Sequence, residues 1–254
     1  MPQISAAGHA LEYTEIPGAE PALVFLHEGL GSIRQWRDFP GRVAMATGRR
    51  TIVYDRYGYG NSDVLQEERV GTDFMHREAL QSLPAVLKGL AIEKPVLIGH
   101  SDGASIALIH AGAHPARGVA AMAPHVFVEP FGLKSIRKAN SQFETTDLPA
   151  RLAKYHRDAR KTFHLWADAW LDPAFEKWNI EASLPGIRCP VLAIQGEDDE
   201  YGSMAQLDAI RRQVSGPCEL LKLEHCGHAP FKDQPEQVLK SMARFIGKIV
   251  AAGD

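Results

Sequence analysis

Short, continuous runs of apolar residues recur along this sequence, and each has the length of a strand rather than a helix. Unbroken apolar runs are typical of strands that are buried on both faces, as in parallel sheets. The runs are ALVFLH at 22–27, TIVYD at 51–55, PVLIGH at 95–100, VAAMA at 119–123, PVLAIQ at 190–195 and a shorter one at 220–223. Helical patterns at 74–90, 104–113 and 235–250 lie between or after them. The sequence therefore predicts an α/β fold with a mostly parallel, doubly wound sheet.

One segment interrupts this alternation of strands and helices. Residues 130–186 contain no buried run and show a helical pattern rich in Arg, Lys, His and Trp. The segment is too long for a simple crossover loop. It is either a pair of ordinary surface helices or a helical cap inserted between two strands, and we favour the cap. The expected organisation is a core domain of residues 1–129 and 187–254 with a cap of residues 130–186.

Length, charge and cysteine count limit the classes of protein that fit. A chain of 254 residues suffices for one α/β domain with an insertion. The formal charge of −3 gives no bulk attraction to nucleic acid or to an anionic membrane. We see neither a signal peptide nor a membrane-spanning apolar run. Three cysteines, an odd number, suit a reducing compartment, so we expect a cytoplasmic protein with a small-molecule partner.

The segment GHSDG at 99–103 carries the first chemical signal. It matches the pattern G-x-S-x-G, with an apolar strand before it and a helix after it. Such a turn holds the serine in a strained conformation that pushes its hydroxyl outward, and small residues must flank it. Ser101 is therefore the predicted nucleophile.

A serine nucleophile needs a base, and the base needs an orienting carboxylate. In the chain order Ser, acid, His, the loop after 190–195 offers four consecutive acidic residues. We assign Asp199 as the acid and keep Asp198 as the alternative. Glu197 and Glu200 fit solvated or turn positions.

The base is expected after the next strand, where the sequence reads EHCGHAPF. We prefer His228 to His225, because His225 lies closer to the end of the strand. A zinc site formed by His225 and His228 lacks further ligands with suitable spacing, so we expect no metal and no cofactor.

Two backbone N–H groups must face the charge that develops on the substrate oxygen. One is expected from Asp102, the residue after the nucleophile. The other is expected from the glycine-rich loop after 22–27, with Gly29 first and Leu30 next.

Together these pieces resemble the α/β-hydrolase superfamily over essentially the full chain. The matching segments are LHEGLGS, DRYGYGNSD, GHSDGAS, QGEDD and GHAPF. The resemblance implies Ser101 as nucleophile, Asp199 as acid and His228 as base. Ser101 argues against the members whose nucleophile is a carboxylate, and the chain lacks the G-G-G-P-G-like loop of ring-fission C–C hydrolases. Glu28 departs from the superfamily, in which Gly is common at that position.

Within the superfamily, the chain is most similar to the valacyclovir hydrolase, or biphenyl hydrolase-like, type. The similarity rests on Ser-Asp-Gly at the turn and on the Trp-rich cap. In that type, the acid after the nucleophile binds the substrate's ammonium group.

The side chain of Asp102 is open to three interpretations. A carboxylate is favourable in the first turn of a helix, by about 0.3–1 kcal/mol. An unpaired carboxylate beside a developing oxyanion is unfavourable, so Asp102 otherwise requires a cation. That cation is either a substrate amine or one of four basic residues of the cap, namely Arg137, Lys138, Arg157 and Arg160.

These predictions point to a serine hydrolase that cleaves a small ester through an acyl-enzyme. A thioesterase, amidase, perhydrolase or lyase on the same triad is the alternative, and a non-catalytic receptor for a small molecule is the alternative from another class. Candidate substrate-binding residues are Glu28, Leu30, Asp102, Trp166 and Trp170. Phe163 and Trp178 also qualify as pocket residues, whereas His156 and His164 are expected at the surface.

Overall fold

The computed structural model describes residues 1–252, and positions 253 and 254 of the predicted core lie outside the described residues. Within residues 1–252, eight strands form one sheet in the order β1-β2-β4-β3-β5-β6-β7-β8. The strands are β1 (Gln3–Ala6), β2 (His9–Ile16), β3 (Ala19–Leu26), β4 (Arg49–Tyr54), β5 (Val96–His100), β6 (Gly118–Met122), β7 (Val191–Gly196) and β8 (Cys218–Leu223). β1 pairs with β2, and β2 with β4, in antiparallel fashion, whereas the pairs from β4 to β8 are parallel.

Both faces of the sheet are apolar, which explains the unbroken runs in the sequence. In β3, Leu23 and Phe25 face one side of the sheet, while Val24 and Leu26 face the other. This alternation follows from the two-residue period of a strand. The predicted doubly wound, mostly parallel sheet is confirmed.

Residues 1–252 form ten α-helices. They are α1 (Phe39–Thr47), α2 (Phe74–Arg77), α3 (Leu83–Gly89), α4 (Asp102–Ala113), α5 (Pro130–Gln142), α6 (Leu148–Leu152), α7 (Ala159–Leu171), α8 (Met204–Gln213), α9 (Pro230–Asp233) and α10 (Pro235–Ala251). α1 and α10 pack on one face, and α3, α4 and α8 pack on the other. No helix within residues 1–252 combines the length and the apolar character needed to cross a membrane.

The helical pattern at 74–90 does not form one continuous α-helix. A wide π-helical turn at Glu78–Ser82 joins α2 to α3, and Pro84 stands in the first turn of α3. Proline has no N–H to donate, and the first turn is the part of a helix where that donor has no partner.

Residues 130–186 are helical between β6 and β7. They comprise α5, α6, α7 and two short 3₁₀ helices, Pro173–Lys177 and Glu181–Gly186. α5 and α7 pack against each other, and a small apolar cluster centred on Phe143 and Phe163 lies beneath them. Other apolar side chains of the segment, such as Leu133, Ile136 and Trp170, belong instead to the large apolar cluster on one face of the sheet.

The predicted surface position of His156 is wrong, whereas the side chain of His164 is 43% exposed, as expected. His156 is buried and lies between two loops of the core. Its Nδ1 accepts a hydrogen bond from the N–H of Gly60 at 3.0 Å, and its Nε2 lies 3.0 Å from the carbonyl oxygen of Leu30. Because Nδ1 accepts, Nε2 carries the proton and donates it. A polar ring is buried here because both of its nitrogens are bonded.

Candidate active site

Ser101 lies in a sharp turn between β5 and α4. Its backbone has φ 53° and ψ −122°, in a region that a residue with a side chain rarely adopts. The flanking glycines permit the turn: a Cβ at Gly99 would lie 2.3 Å from the carbonyl oxygen of Gly103, and one at Gly103 would lie 2.0 Å from that of Leu26. The hydroxyl of Ser101 therefore projects from the carboxyl edge of the sheet.

The side chains of Ser101, His228 and Asp199 form a continuous chain of hydrogen bonds. His228 Nε2 lies 2.9 Å from Ser101 Oγ, and His228 Nδ1 lies 2.9 Å from both carboxylate oxygens of Asp199. An ionised carboxylate only accepts, so Nδ1 carries the proton of the neutral ring. Nε2 is then free to accept the proton of the serine hydroxyl.

Asp199 is held rigidly in the loop after β7. Its Oδ1 accepts the backbone N–H of Tyr201 at 2.8 Å, and its Oδ2 accepts Gln195 Nε2 at 2.6 Å. Asp198 is exposed, and none of its hydrogen bonds within residues 1–252 reaches His228. His225 is exposed as well.

The electrostatics of the pair fix its charge state. Burial disfavours the charge of Asp199, but the hydrogen bond and the charge of His228 outweigh it and lower the pKa of Asp199. Burial also disfavours a charged His228, and here Asp199 and Glu28 outweigh it and raise the pKa of His228. The site is therefore organised to stabilise an imidazolium.

The N–H groups of Asp102 and Gly29 are available near the serine. In the part of the chain that the structure describes, neither donates in the bonds of loops, turns or caps. Gly29 must be a glycine, because a Cβ there would lie 2.1 Å from Nε1 of Trp166 and 2.8 Å from Oδ2 of Asp102. Leu30 follows and lines the same cavity.

The side chain of Asp102 turns inward and meets the indole of Trp166. Trp166 Nε1 donates to Asp102 Oδ2 at 3.2 Å, and only 1% of Asp102 is exposed. Burial raises the pKa of Asp102 to about 6, and the charge of Arg56 and the indole of Trp166 oppose this rise.

Of the three interpretations of Asp102, the ion pair with a basic residue of the cap is not formed within residues 1–252. Arg137 lies 3.6 Å from Glu176, and Arg160 pairs with Glu144, in both cases on the exposed side of the helices. A neutral indole donor, which none of the three interpretations included, contacts the carboxylate instead.

A cavity of about 110 Å³ opens over Ser101 between the core and the helical segment. Trp166 and Trp170 line it, whereas Phe163 stacks on Phe143 and Trp178 stacks on Phe175. The expectation that Phe163 and Trp178 line the pocket is therefore wrong, because each is used in aromatic packing. Three carboxylates line the cavity, those of Glu28, Asp102 and Glu129, and its lining within residues 1–252 includes no Lys or Arg.

Sequence reasoning missed His125 and Arg56. His125 follows β6, is 4% exposed and lines the cavity. No hydrogen bond within residues 1–252 uses its ring nitrogens, and burial lowers its pKa to about 3. Arg56 is buried after β4, and its Nη2 donates to the carbonyl oxygen of Glu28 at 2.8 Å. Only its position directly after a buried strand could have suggested either residue.

Within residues 1–252, no group of three or more His, Cys, Asp or Glu side chains is arranged to hold a metal ion. Both ring nitrogens of His228 are already engaged, by Ser101 and by Asp199.

Residues 23–241 match the model of the Alpha/beta hydrolase family. Among curated proteins, a proline iminopeptidase of Lactobacillus delbrueckii subsp. lactis is 31% identical over 97 residues, which are 38% of this chain and 33% of that protein. The match thus spans about a third of that relative. Serine hydrolase BPHL of Mus musculus is 26% identical over 243 residues, covering 91% of this chain and 82% of that protein. The structure of an enol-lactonase from Burkholderia xenovorans LB400 superimposes with a TM-score of 0.76 at 18% identity, over 97% of this chain and 100% of that one.

Proposed function

The chain belongs to the alpha/beta hydrolase family, and from this premise we propose that it is a serine hydrolase that cleaves small carboxylic esters through an acyl-enzyme on Ser101. The observation that carries the proposal is the hydrogen-bonded chain Ser101–His228–Asp199, whose serine hydroxyl lies at a small cavity. Such a chain activates a hydroxyl that is otherwise a poor nucleophile.

In the proposed acylation, His228 Nε2 takes the proton of Ser101 as Oγ attacks the ester carbonyl carbon. The carbonyl electrons move onto oxygen, and the N–H groups of Asp102 and Gly29 hold that oxyanion. The oxyanion then re-forms the carbonyl and expels the alcohol, which takes its proton from His228. The aspartate stays ionised and steadies the imidazolium.

Deacylation follows the same steps, with water as the nucleophile in place of Ser101. His228 takes a proton from a water molecule as its oxygen attacks the acyl carbon, and the second tetrahedral oxyanion uses the same N–H groups. Collapse breaks the bond to Ser101 Oγ, and the proton on His228 returns to that oxygen. The carboxylic acid leaves, and no cofactor takes part.

We further propose that residues 130–186 act as a cap over the site. Trp166 and Trp170 of α7 reach into the cavity, and His156 binds the loop that carries Gly29.

We also propose a cytoplasmic location, with which the free state of Cys189, Cys218 and Cys226 is consistent.

The acidic lining favours substrates that carry an amine. Asp102 is ionised in part and directly follows Ser101, and within residues 1–252 the neutral indole of Trp166 is the only side chain that donates a hydrogen bond to it. An ammonium group one or two bonds from the scissile carbonyl would supply the missing positive charge. Amino-acid esters are therefore the proposed substrate class.

A second candidate is peptide-bond hydrolysis at an amino terminus. The observation that favours it is the 31% identity to a proline iminopeptidase, together with the carboxylates of the cavity. The thioesterase, perhydrolase and lyase alternatives use the same triad, and nothing in the cavity favours one of them.

The test is a panel of p-nitrophenyl esters of varied acyl length, amino-acid esters, amino-acid amides and acyl-thioesters, with Ser101→Ala as the control. We expect the highest kcat/KM on amino-acid esters and none with Ser101→Ala. A fluorophosphonate probe is applied in parallel. If the folded protein does not become labelled at Ser101, the proposed hydrolase fails and the receptor alternative is favoured.

A further inference from the structure

Glu28 is a carboxylate of the cavity that the reaction above does not use. It directly follows His27 after β3, and its side chain is 23% exposed. It lines the same cavity as Ser101 and His228. Its backbone is fixed, because its carbonyl oxygen accepts a hydrogen bond from the buried Arg56.

The carboxylate of Glu28 has only loose partners. Its Oε2 lies 3.5 Å from His100 Nδ1, and its Oε1 lies 3.9 Å from Nζ of Lys232 on α9. No hydrogen bond from the described residues reaches either oxygen. Burial opposes its ionisation, but His100, Lys232 and His228 outweigh burial and lower the pKa of Glu28.

His100 does not neutralise this carboxylate. Its Nε2 lies 2.6 Å from the backbone carbonyl oxygen of His228, which can only accept, so Nε2 carries the proton. Burial lowers the pKa of His100 to about 4, so the ring is neutral near pH 7. Lys232 is the remaining cation in contact with Glu28, at a distance longer than a hydrogen bond. A negative charge therefore remains in the cavity that His228 also lines.

We propose that Glu28 is a positioning residue that acts through His228: its carboxylate stabilises the imidazolium by charge, alongside Asp199. This rests on the proposed function, in which His228 becomes an imidazolium in each transition state. Asp199 binds Nδ1 directly. Glu28 lies in the loop after β3 and is connected to His228 through the ring of His100, whose Nδ1 lies 3.5 Å from Glu28 Oε2 and whose Nε2 donates to the carbonyl oxygen of His228. Its carboxylate is thus a second negative charge in the cavity that His228 lines.

Other groups also face these two side chains. Glu200 raises the pKa of His228 from the loop after β7, and Tyr201 packs against its ring at 4.6 Å. His125 lies 5.8 Å from the same ring and is neutral, because burial lowers its pKa to about 3. The positive charge of Arg56, in the loop after β4, lowers the pKa of Glu28. All of these stay in place when Glu28 alone is changed.

The direction of the effect follows from the charges. An anion near His228 favours the protonated ring and raises its pKa. Glu28→Gln keeps the shape of the side chain and removes its charge, so the pKa of His228 falls. We expect a fall of about 0.5–1 unit, the size of a screened interaction between charges that do not touch. Lys232→Met removes the cation that partly offsets Glu28, so the pKa of His228 stays constant or rises slightly.

The experiment is an NMR titration of the free enzyme labelled with ¹³C at histidine Cε1, with His228→Gln used to assign the signal. It needs no substrate, so its outcome is independent of the proposed function. A fall in the pKa of His228 in Glu28→Gln, without a fall in Lys232→Met, supports the proposal. A change smaller than 0.2 unit, or a fall in both variants, overturns it. Glu28→Gly, which also removes the charge, replaces Glu28→Gln if the latter does not fold.

A second readout is the pH profile of kcat/KM on the best ester of the panel. Its acid limb must move to lower pH by the same amount as the pKa in the titration. If the titration shifts and no ester is hydrolysed, the charge effect stands and the proposed function fails. If hydrolysis is normal and neither curve moves, the role of Glu28 fails and the proposed function stands.

Discussion

The indole Nε1 of Trp166 lies 3.2 Å from Oδ2 of Asp102, so an aromatic side chain of the helical segment solvates the carboxylate next to the nucleophile. The contact is possible because Gly29 leaves room for the indole ring. Three elements, α4, α7 and the loop after β3, thus meet within one small volume. Burial raises the pKa of Asp102, the charge of Arg56 and this contact oppose that rise, and no cation within residues 1–252 lies at hydrogen-bond distance from the carboxylate.

Asp102→Asn is expected to discriminate between substrates with and without an amine. Loss of a charge-assisted hydrogen bond reduces kcat/KM on an amino-acid ester by about tenfold to a hundredfold. On the des-amino analogue, kcat/KM stays within about threefold, because the backbone N–H of residue 102 is unchanged. Steady-state kinetics on the matched pair of esters provide the measurement, and equal losses on both would sink the idea of an amine site.

Gly29→Ala is expected to reduce kcat by at least about a hundredfold, the usual effect of losing one oxyanion donor. The new Cβ would overlap the indole of Trp166 and force either the loop or α7 to move. Gly247→Ala is the matched control, since a Cβ there meets nothing within 4 Å. The control should retain full activity and gain a little stability from its better helix propensity. Full activity in Gly29→Ala would contradict the assignment of this N–H.

Asp199→Asn is expected to lower kcat by about a hundredfold to ten-thousandfold, because an amide no longer holds the reactive tautomer of the base. Its neighbour Asp198 provides an internal control with the same chemistry, one residue away. Asp198→Asn should leave kcat within about twofold, because that side chain is exposed. The measurement is kcat of both variants on the same ester. A larger loss of kcat in Asp198→Asn than in Asp199→Asn would assign Asp198 as the acid.

His125→Phe tests whether this buried ring recognises substrate. The ring is uncharged and lies in the cavity without a protein partner for its nitrogens among the described residues. We expect kcat/KM on plain acyl esters to change by less than about threefold, and on hydroxyl- or amide-bearing acyl esters to fall about tenfold, the value of one neutral hydrogen bond. His125→Asn should recover part of the loss. A uniform loss on all esters would assign the ring to packing against Trp170, which it contacts edge to face.

The protein is expected to lose stability in mild acid because it buries neutral histidines. Burial lowers the pKa of His100 and His110 to about 4 and that of His125 to about 3, against an ordinary value near 6.5. Below pH 6.5 the unfolded chain takes up protons that the folded chain does not bind. The free energy of unfolding therefore falls as the pH falls through 6.5 toward 4.

Three buried carboxylates act with the opposite sign. Burial raises the pKa of Asp55 and Asp102 to about 6 and that of Glu78 above its ordinary value, so the folded chain holds their protons in mild acid. Burial lowers the pKa of twice as many histidines, so the net effect remains a loss of stability. These histidines are His27, His76, His100, His110, His125 and His156. Urea unfolding at pH 7, 6 and 5 measures the loss, and stability that is constant or rises toward pH 5 would refute it.

The parts of the fold that could be predicted are those with one dominant pattern. The buried strands, the turn at Ser101 and the order of acid and base follow from apolar runs and from a motif with fixed geometry. β1 and α8 were not predicted, because QISA and MAQLDAIRRQ are too short or too polar to show a clear period.

The contacts between distant segments could not be predicted from local pattern. The local sequence does not distinguish a tryptophan that lines a cavity, such as Trp166, from one that stacks on a neighbouring ring, such as Trp178. A histidine in a basic helical segment is likewise predicted to be exposed, but His156 is buried because it forms hydrogen bonds with two loops of the core. Only the tertiary structure distinguishes these cases.

The two hydrogen bonds of His156 have a consequence for engineering this chain. A helical segment exchanged with that of a relative would bring new pocket walls, but it would also break the tie from this ring to Gly60 and Leu30. Exchanging the segment would therefore change the substrate range and the position of the loop that carries Gly29 and Leu30 at the same time. A chimera that keeps a histidine at this position should keep the loop in place while its pocket changes. A chimera that lacks this histidine should have a displaced loop, whichever substrate its new pocket binds.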